Sequence, residues 1–186
     1  MISLIGMPGG GKSTVGRQLA RRLDRRFIDC DAQIEQRLGM PIRAFFEAEG
    51  EDRFRDIEQE TIADLLSQPS LVLATGGGAV LREANRAALR SASTVVYLRS
   101  TPEELFRRLR HDTHRPLLQV PDPLRKLREL YRVRDPLYRD TAHFVIETGR
   151  PSVQTLVNMI LMQLELAGLV DPEQVPSPVV QRAAGD

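Results

Sequence analysis

Gly6-Met7-Pro8-Gly9-Gly10-Gly11-Lys12-Ser13 follows the apolar run Ile2–Ile5 and precedes an amphipathic stretch from Lys12 to Leu23. It satisfies G-x-x-x-x-G-K-[ST] between a buried strand and a helix, the context that pattern needs. Each residue has a physical reason. Glycines admit positive φ and let the backbone approach phosphate oxygens closely. Their N–H groups and the helix N-terminus point toward anionic charge. Lys12 brings a point charge to the β- and γ-phosphates, and the Ser13 hydroxyl suits Mg²⁺. The stretch implies a nucleoside triphosphate and leaves the acceptor open, because one fold hosts many chemistries.

Outward from it, apolar runs alternate with amphipathic segments. Arg26–Cys30, Leu71–Thr75, Thr94–Arg99 and His143–Glu147 read as further strands. Ala32–Leu38, a short helix from Pro41, Glu51–Ser67, Glu83–Arg90, Pro102–Arg110, Leu124–Arg134 and Ser152–Leu166 read as helices. The alternation predicts an α/β fold in three layers, a parallel five-stranded sheet flanked by helices, with ligands at the carboxyl ends of the strands. Residues 1–167 form one domain. His111–Pro123 carries three prolines without a period and reads as a mobile lid. Residues 168–186 read as a disordered tail.

Composition narrows the function classes. There are 26 basic and 25 acidic residues, so no global field draws nucleic acid or membrane. Aromatics are only 5% and Trp is absent, which disfavours base stacking. The Arg-rich stretch Arg107–Arg139 also holds Asp112, Asp122, Glu129 and Asp135, with Asp140 directly after it, so it reads as a solvated face with anion-binding residues rather than an RNA site. No apolar run reaches the ~20 residues a spanning helix needs, and the N-terminus does not read as a signal peptide. A cytoplasmic monomer is the default expectation. The single Cys30 fits a reducing compartment and, between two carboxylates, reads as a packing residue. The His111/His114 pair lacks the acidic or thiol partners of a metal site.

Other residues point at the acceptor. Asp29 and Asp31 end the second strand two apart, so both could face the cleft, one near a metal and one on an acceptor hydroxyl. The alternative is a polar loop with Asp31 capping the next helix. The third strand ends without an acid, and Gly76, Gly77 and Gly78 follow it, offering bare N–H groups to a small ligand or serving as a flexible connector. Arg55 and Arg134 have the planar fork that matches a carboxylate. Arg115 sits in the lid, where an arginine could neutralise charge on transferring phosphate.

GMPGGGKST, FIDCD, FEAEGEDRFRDIE, LATGGGAV, RPLL and RDPLYRDTA, in this order, resemble shikimate kinase over residues 1 to about 165. The resemblance implies ATP- and Mg²⁺-dependent phosphorylation of the shikimate 3-hydroxyl. It makes Asp31, Arg55, Gly76, Gly77, Gly78 and Arg134 the shikimate set, with Glu58 holding Arg55. It makes Ser13 and Asp29 the magnesium side, and Gly9, Gly10, Gly11, Lys12, Ser13 and Thr14 the phosphate loop. Arg115 is then the lid arginine, and Arg110 and Arg150 lie beside adenine. Lys12, Asp31 and Arg115 carry the catalysis. The rivals are another small-metabolite kinase acting on gluconate or a nucleotide, and a non-catalytic sensor of the same ligands.

Overall fold

The structure is a computed structural model of the 186-residue chain, and it describes residues 1–111 and 119–175. Five strands form one sheet: β1 (Ile2–Ile5), β2 (Arg26–Asp29), β3 (Leu71–Ala74), β4 (Thr94–Arg99) and β5 (Phe144–Glu147). Their order is β2-β3-β1-β4-β5, and every pairing is parallel. Among the described residues eight α-helices connect or flank them: α1 (Lys12–Arg22), α2 (Cys30–Leu38), α3 (Ile42–Glu49), α4 (Glu51–Leu66), α5 (Glu83–Ala92), α6 (Pro102–Leu109), α7 (Pro123–Thr141) and α8 (Val153–Leu166). This is the architecture expected from the sequence.

The period-2 alternation of the strands divides the core into two layers. Leu71, Leu73, Val95 and Tyr97 face one cluster, with α2, α4, α5 and α7 supplying Ile34, Ile62, Leu89 and Tyr138. Leu4, Val72, Val96 and Leu98 face the other, against Val15 and Leu19 of α1 and Ile160 and Leu161 of α8. Both faces are covered, which is why the strands read as unbroken apolar runs.

Two elements depart from the sequence reading. The helix expected to stop at Arg134 continues to Thr141 through Pro136. Pro136 lies on an exposed face, where water can take the carbonyl that its missing N–H releases. Burial of Asp135, Tyr138 and Thr141 on the opposite face offsets that lost bond. Of the segment read as a tail, residues 168–175 are described: Leu169 N–H donates to the Leu164 carbonyl, and Val170 and Val175 pack on the second cluster. Residues 176–186 lie outside the described residues. Among the described residues no helix is long and apolar enough to cross a membrane.

The parallel strands bring the β1–α1 loop, the end of β2 and the β3 glycines to one edge of the sheet. Gly6 makes the first turn possible. Its φ is 152°, and a methyl group there would lie 2.6 Å from the backbone oxygen of Leu98. Gly6→Ala is therefore expected to destabilise the protein by about 3 kcal/mol, summing backbone strain and overpacking. Urea denaturation of the variant checks this; a stability equal to wild type would contradict it.

Candidate active site

Two cavities meet at this edge. The first, of about 590 Å³, is lined by residues 8–14, Asp29, Asp31, Glu35 and Thr75–Gly77. The second, of about 850 Å³, is lined among others by Phe46, Phe54, Arg55, Glu58, Gly76–Gly78, Lys126, Leu130 and Arg134. Pro8, Asp31, Glu35, Gly76 and Gly77 belong to both, so the cavities form one cleft with a shared wall.

The first cavity has the character of an anion site. Gly9 and Gly11 have φ of 77° and 85°, the left-handed conformation the loop needs. Lys12 is buried at the start of α1, and its Nζ donates to the carbonyls of Gly6 at 2.9 Å and Met7 at 2.8 Å. Those bonds curl the loop around the ammonium group. Ser13 Oγ donates to Asp29 Oδ2 at 2.5 Å. A hydroxyl and a carboxylate so placed are hard oxygen donors, and Mg²⁺ characteristically uses one or two such groups beside phosphate oxygens and water. No cluster of three or more His, Cys, Asp or Glu forms an all-protein metal cage among the described residues.

The two aspartates come together differently from the strand alternation expected. β2 ends at Asp29, which is the N-cap of α2: its Oδ1 accepts from the N–H groups of Asp31 at 3.0 Å and Ala32 at 3.2 Å. Capping thus belongs to Asp29, and Asp31 stands in the first helical turn. A methyl group at Gly76 would lie 2.6 Å from Asp31 Oδ1 and 3.2 Å from Glu58 Oε2, so a glycine leaves the space these carboxylates occupy. Burial, then the charges of Asp29 and Glu58, push the Asp31 carboxyl up to about 6, with Lys12 opposing.

In the second cavity Arg55 is held from three sides. Nη1 donates to Glu58 Oε1 at 2.8 Å, Nη2 to Glu51 Oε1 at 3.2 Å, and the guanidinium lies over the Phe54 ring at 5.2 Å. Glu58 is 1% exposed, and burial raises its carboxyl pKa against the lowering effect of Arg55. A methyl group at Gly78 would lie 2.3 Å from Arg55 Nη2, so this glycine gives the guanidinium its room. Arg134 lines the same cavity from α7.

Of the other residues singled out in sequence, Thr14 lines the first cavity. Arg110 and Arg150 are exposed and line neither cavity; Arg110 Nε contacts His111 Nε2 at 3.2 Å. Arg115 and His114 lie outside the described residues. Cys30 is fully buried with its thiol pKa pushed far up, chiefly by burial, and so is suited to packing.

Sequence reasoning missed Glu35, Phe46, Lys126, Leu130 and Tyr138. A signal existed for three of them. Lys126, Leu130, Arg134 and Tyr138 are spaced by four, which sets them along one face of α7.

A P-loop beside a second cavity that holds paired arginine and carboxylate groups defines a small-molecule phosphotransferase of the P-loop kinase class. A family model described as shikimate kinase matches residues 8–165. A shikimate kinase of Ralstonia nicotianae is 54% identical over 97% of this chain and 95% of its own. One of Paracidovorax citrulli is 60% identical over 92% of this chain and 95% of its own. The solved structure of shikimate kinase from Acinetobacter baumannii in complex with shikimate superposes with a TM-score of 0.85, at 46% identity, over 91% of this chain and 94% of that one. The chain belongs to the shikimate kinase family.

The raised Asp31 gives a stability prediction with a definite sign. A carboxyl whose folded pKa lies above its ordinary value contributes stability below 3.8 that is lost as pH rises through about 6. Asp31→Asn in metal-free protein is therefore expected to melt higher than wild type above that pH and to show a flatter profile below it. Thermal melts across the range check this; parallel profiles would contradict it.

Proposed function

We propose that this chain transfers the γ-phosphate of ATP to the 3-hydroxyl of shikimate, giving shikimate 3-phosphate and ADP. The observation that carries the reading is the single cleft in which a P-loop cavity and an Arg55/Arg134 cavity share Asp31. Family membership supports the acceptor, because the related proteins named above are shikimate kinases and one binds shikimate in its structure.

In this reading Arg55 and Arg134 take the shikimate carboxylate through parallel charge-assisted bonds. Glu58 keeps the Arg55 fork aimed into the cavity. Asp31 faces the acceptor hydroxyl; above pH about 6 it is ionised, so it accepts that hydroxyl's hydrogen bond and can hold its proton as the oxygen attacks. Gly76 and Gly78 let ligand and arginine come close to the backbone. The Gly9–Gly11 amides and Lys12 hold the phosphates, and Thr14 lies next to them on α1.

The pair Ser13 and Asp29 fits Mg²⁺, which would offset phosphate charge when bound with the nucleotide. Arg115 is assigned to the same charge, and Arg110 and Arg150 to the adenine side, by resemblance. In phosphoryl transfer such positioning and charge stabilisation supply most of the rate. A single chain supplies all of these groups, which fits a monomer, and the reading places it in the cytoplasm.

A coupled assay of ADP release tests this. Release is expected with Mg²⁺, ATP and shikimate, and neither gluconate nor AMP is expected to replace shikimate. Lys12→Ala is expected to lower kcat by about 10³-fold or more. Arg55→Ala and Arg134→Ala are each expected to raise the shikimate KM by about 10²-fold, as loss of a charged partner does. Release with another acceptor alone would overturn the substrate, and normal shikimate KM in both arginine variants would overturn the carboxylate clamp.

A further inference from the structure

We propose that the Tyr138 hydroxyl is a positioning group for the acceptor, fixing the Gly76–Gly78 turn relative to Arg134. This deepens the reading above and rests on it. The acceptor cavity is assembled from a turn after β3 and a face of α7, two elements far apart in sequence. Tyr138 ties them directly: its side chain is fully buried, and its hydroxyl donates to the Gly77 carbonyl at 2.5 Å. Tyr138 is one turn beyond Arg134 on the same helix face, and the Arg134 charge acts on the same phenol. One oxygen thus meets both halves of the cavity.

The bond sets a peptide orientation. A trans peptide is planar, so holding the Gly77 carbonyl toward α7 turns the Gly78 N–H to the opposite side. From its other side Gly77 is gripped by the P-loop, since a methyl group there would lie 2.6 Å from Pro8 Cγ and Cδ. The glycine turn, which has no side chains to anchor it, is therefore wedged between Pro8 and Tyr138. Burial raises the Tyr138 phenol pKa, so the group stays a donor at ordinary pH.

The tyrosine is itself fixed. Its ring packs against Tyr97 with centroids 4.9 Å apart. The Tyr97 hydroxyl donates to Asp135 Oδ1 at 2.7 Å, and Asp135 also pairs with Arg99 at 3.3 Å and Arg139 at 2.9 Å. Tyr97 supplies a matched control: a second buried tyrosine with one hydroxyl bond, which does not touch the glycine turn.

Steady-state kinetics of Tyr138→Phe and Tyr97→Phe test the proposal. Both keep the ring and lose one buried hydroxyl. Tyr138→Phe is expected to raise the shikimate KM by about 10-fold, the ratio that one lost buried hydrogen bond represents, with the ATP KM within about 2-fold of wild type. Tyr97→Phe is expected to lower the melting temperature comparably while leaving the shikimate KM within about 2-fold. An unchanged shikimate KM in Tyr138→Phe, or an equal rise in both variants, overturns the positioning role while wild-type turnover keeps the substrate reading. Wild-type protein without shikimate turnover overturns both.

Discussion

Three glycines at the carboxyl end of β3 set how closely the two halves of the cleft approach. Each is small for its own reason. Gly76 leaves room for Asp31 and Glu58, Gly77 for Pro8 of the phosphate loop, and Gly78 for the Arg55 guanidinium. None of the three has a positive φ, so sterics rather than backbone conformation demand glycine here. A side chain at any of them would push a carboxylate, the P-loop or an arginine outward. The shared wall of the cleft is thin because these residues end at the backbone.

Packing this tightly forces charges together. Asp29, Asp31 and Glu58 sit close enough to raise the Asp31 carboxyl, and burial contributes more than either neighbour. The arrangement is tolerated because opposite charges and donors are interleaved. Lys12 faces Asp31, the α2 N–H groups and Ser13 hold Asp29, and Arg55 holds Glu58. Desolvating an ion pair such as Arg55–Glu58 offsets much of its Coulomb gain. Its value to this protein is better sought in aim: with one fork nitrogen on Glu58, one on Glu51 and Phe54 beneath, the side chain is 11% exposed and has few other places to go.

The P-loop and the alternation of strands and helices were legible in sequence because they depend on local order. Glycine spacing, apolar period and the following helix are all read within a few residues. The joining of Asp29 and Asp31 was anticipated, but through strand alternation. A helix start at Cys30 replaced it, because Asp29 caps two N–H groups and ends the strand. The end of α7 was missed because Pro136 carries a strong local signal against helix, whereas what keeps the helix going is tertiary: Tyr138 packs against Tyr97, and Asp135 pairs with β4. Glu58 could be tied to Arg55 by resemblance, yet no local pattern distinguishes a buried glutamate from the exposed acids around it. The adenine-side residues Arg110 and Arg150 remain assignments by resemblance alone, since both are exposed and line neither cavity.

The proposed chemistry asks one cleft to hold a carboxylate at one end and present a hydroxyl to the phosphate at the other. A crystal structure with shikimate and ADP bound tests that most directly. The carboxylate is expected between Arg55 and Arg134 at about 2.8 Å from each fork, with a ring hydroxyl on Asp31 facing the P-loop. Shikimate bound with its carboxylate turned toward Lys12, or held away from both arginines, would contradict it.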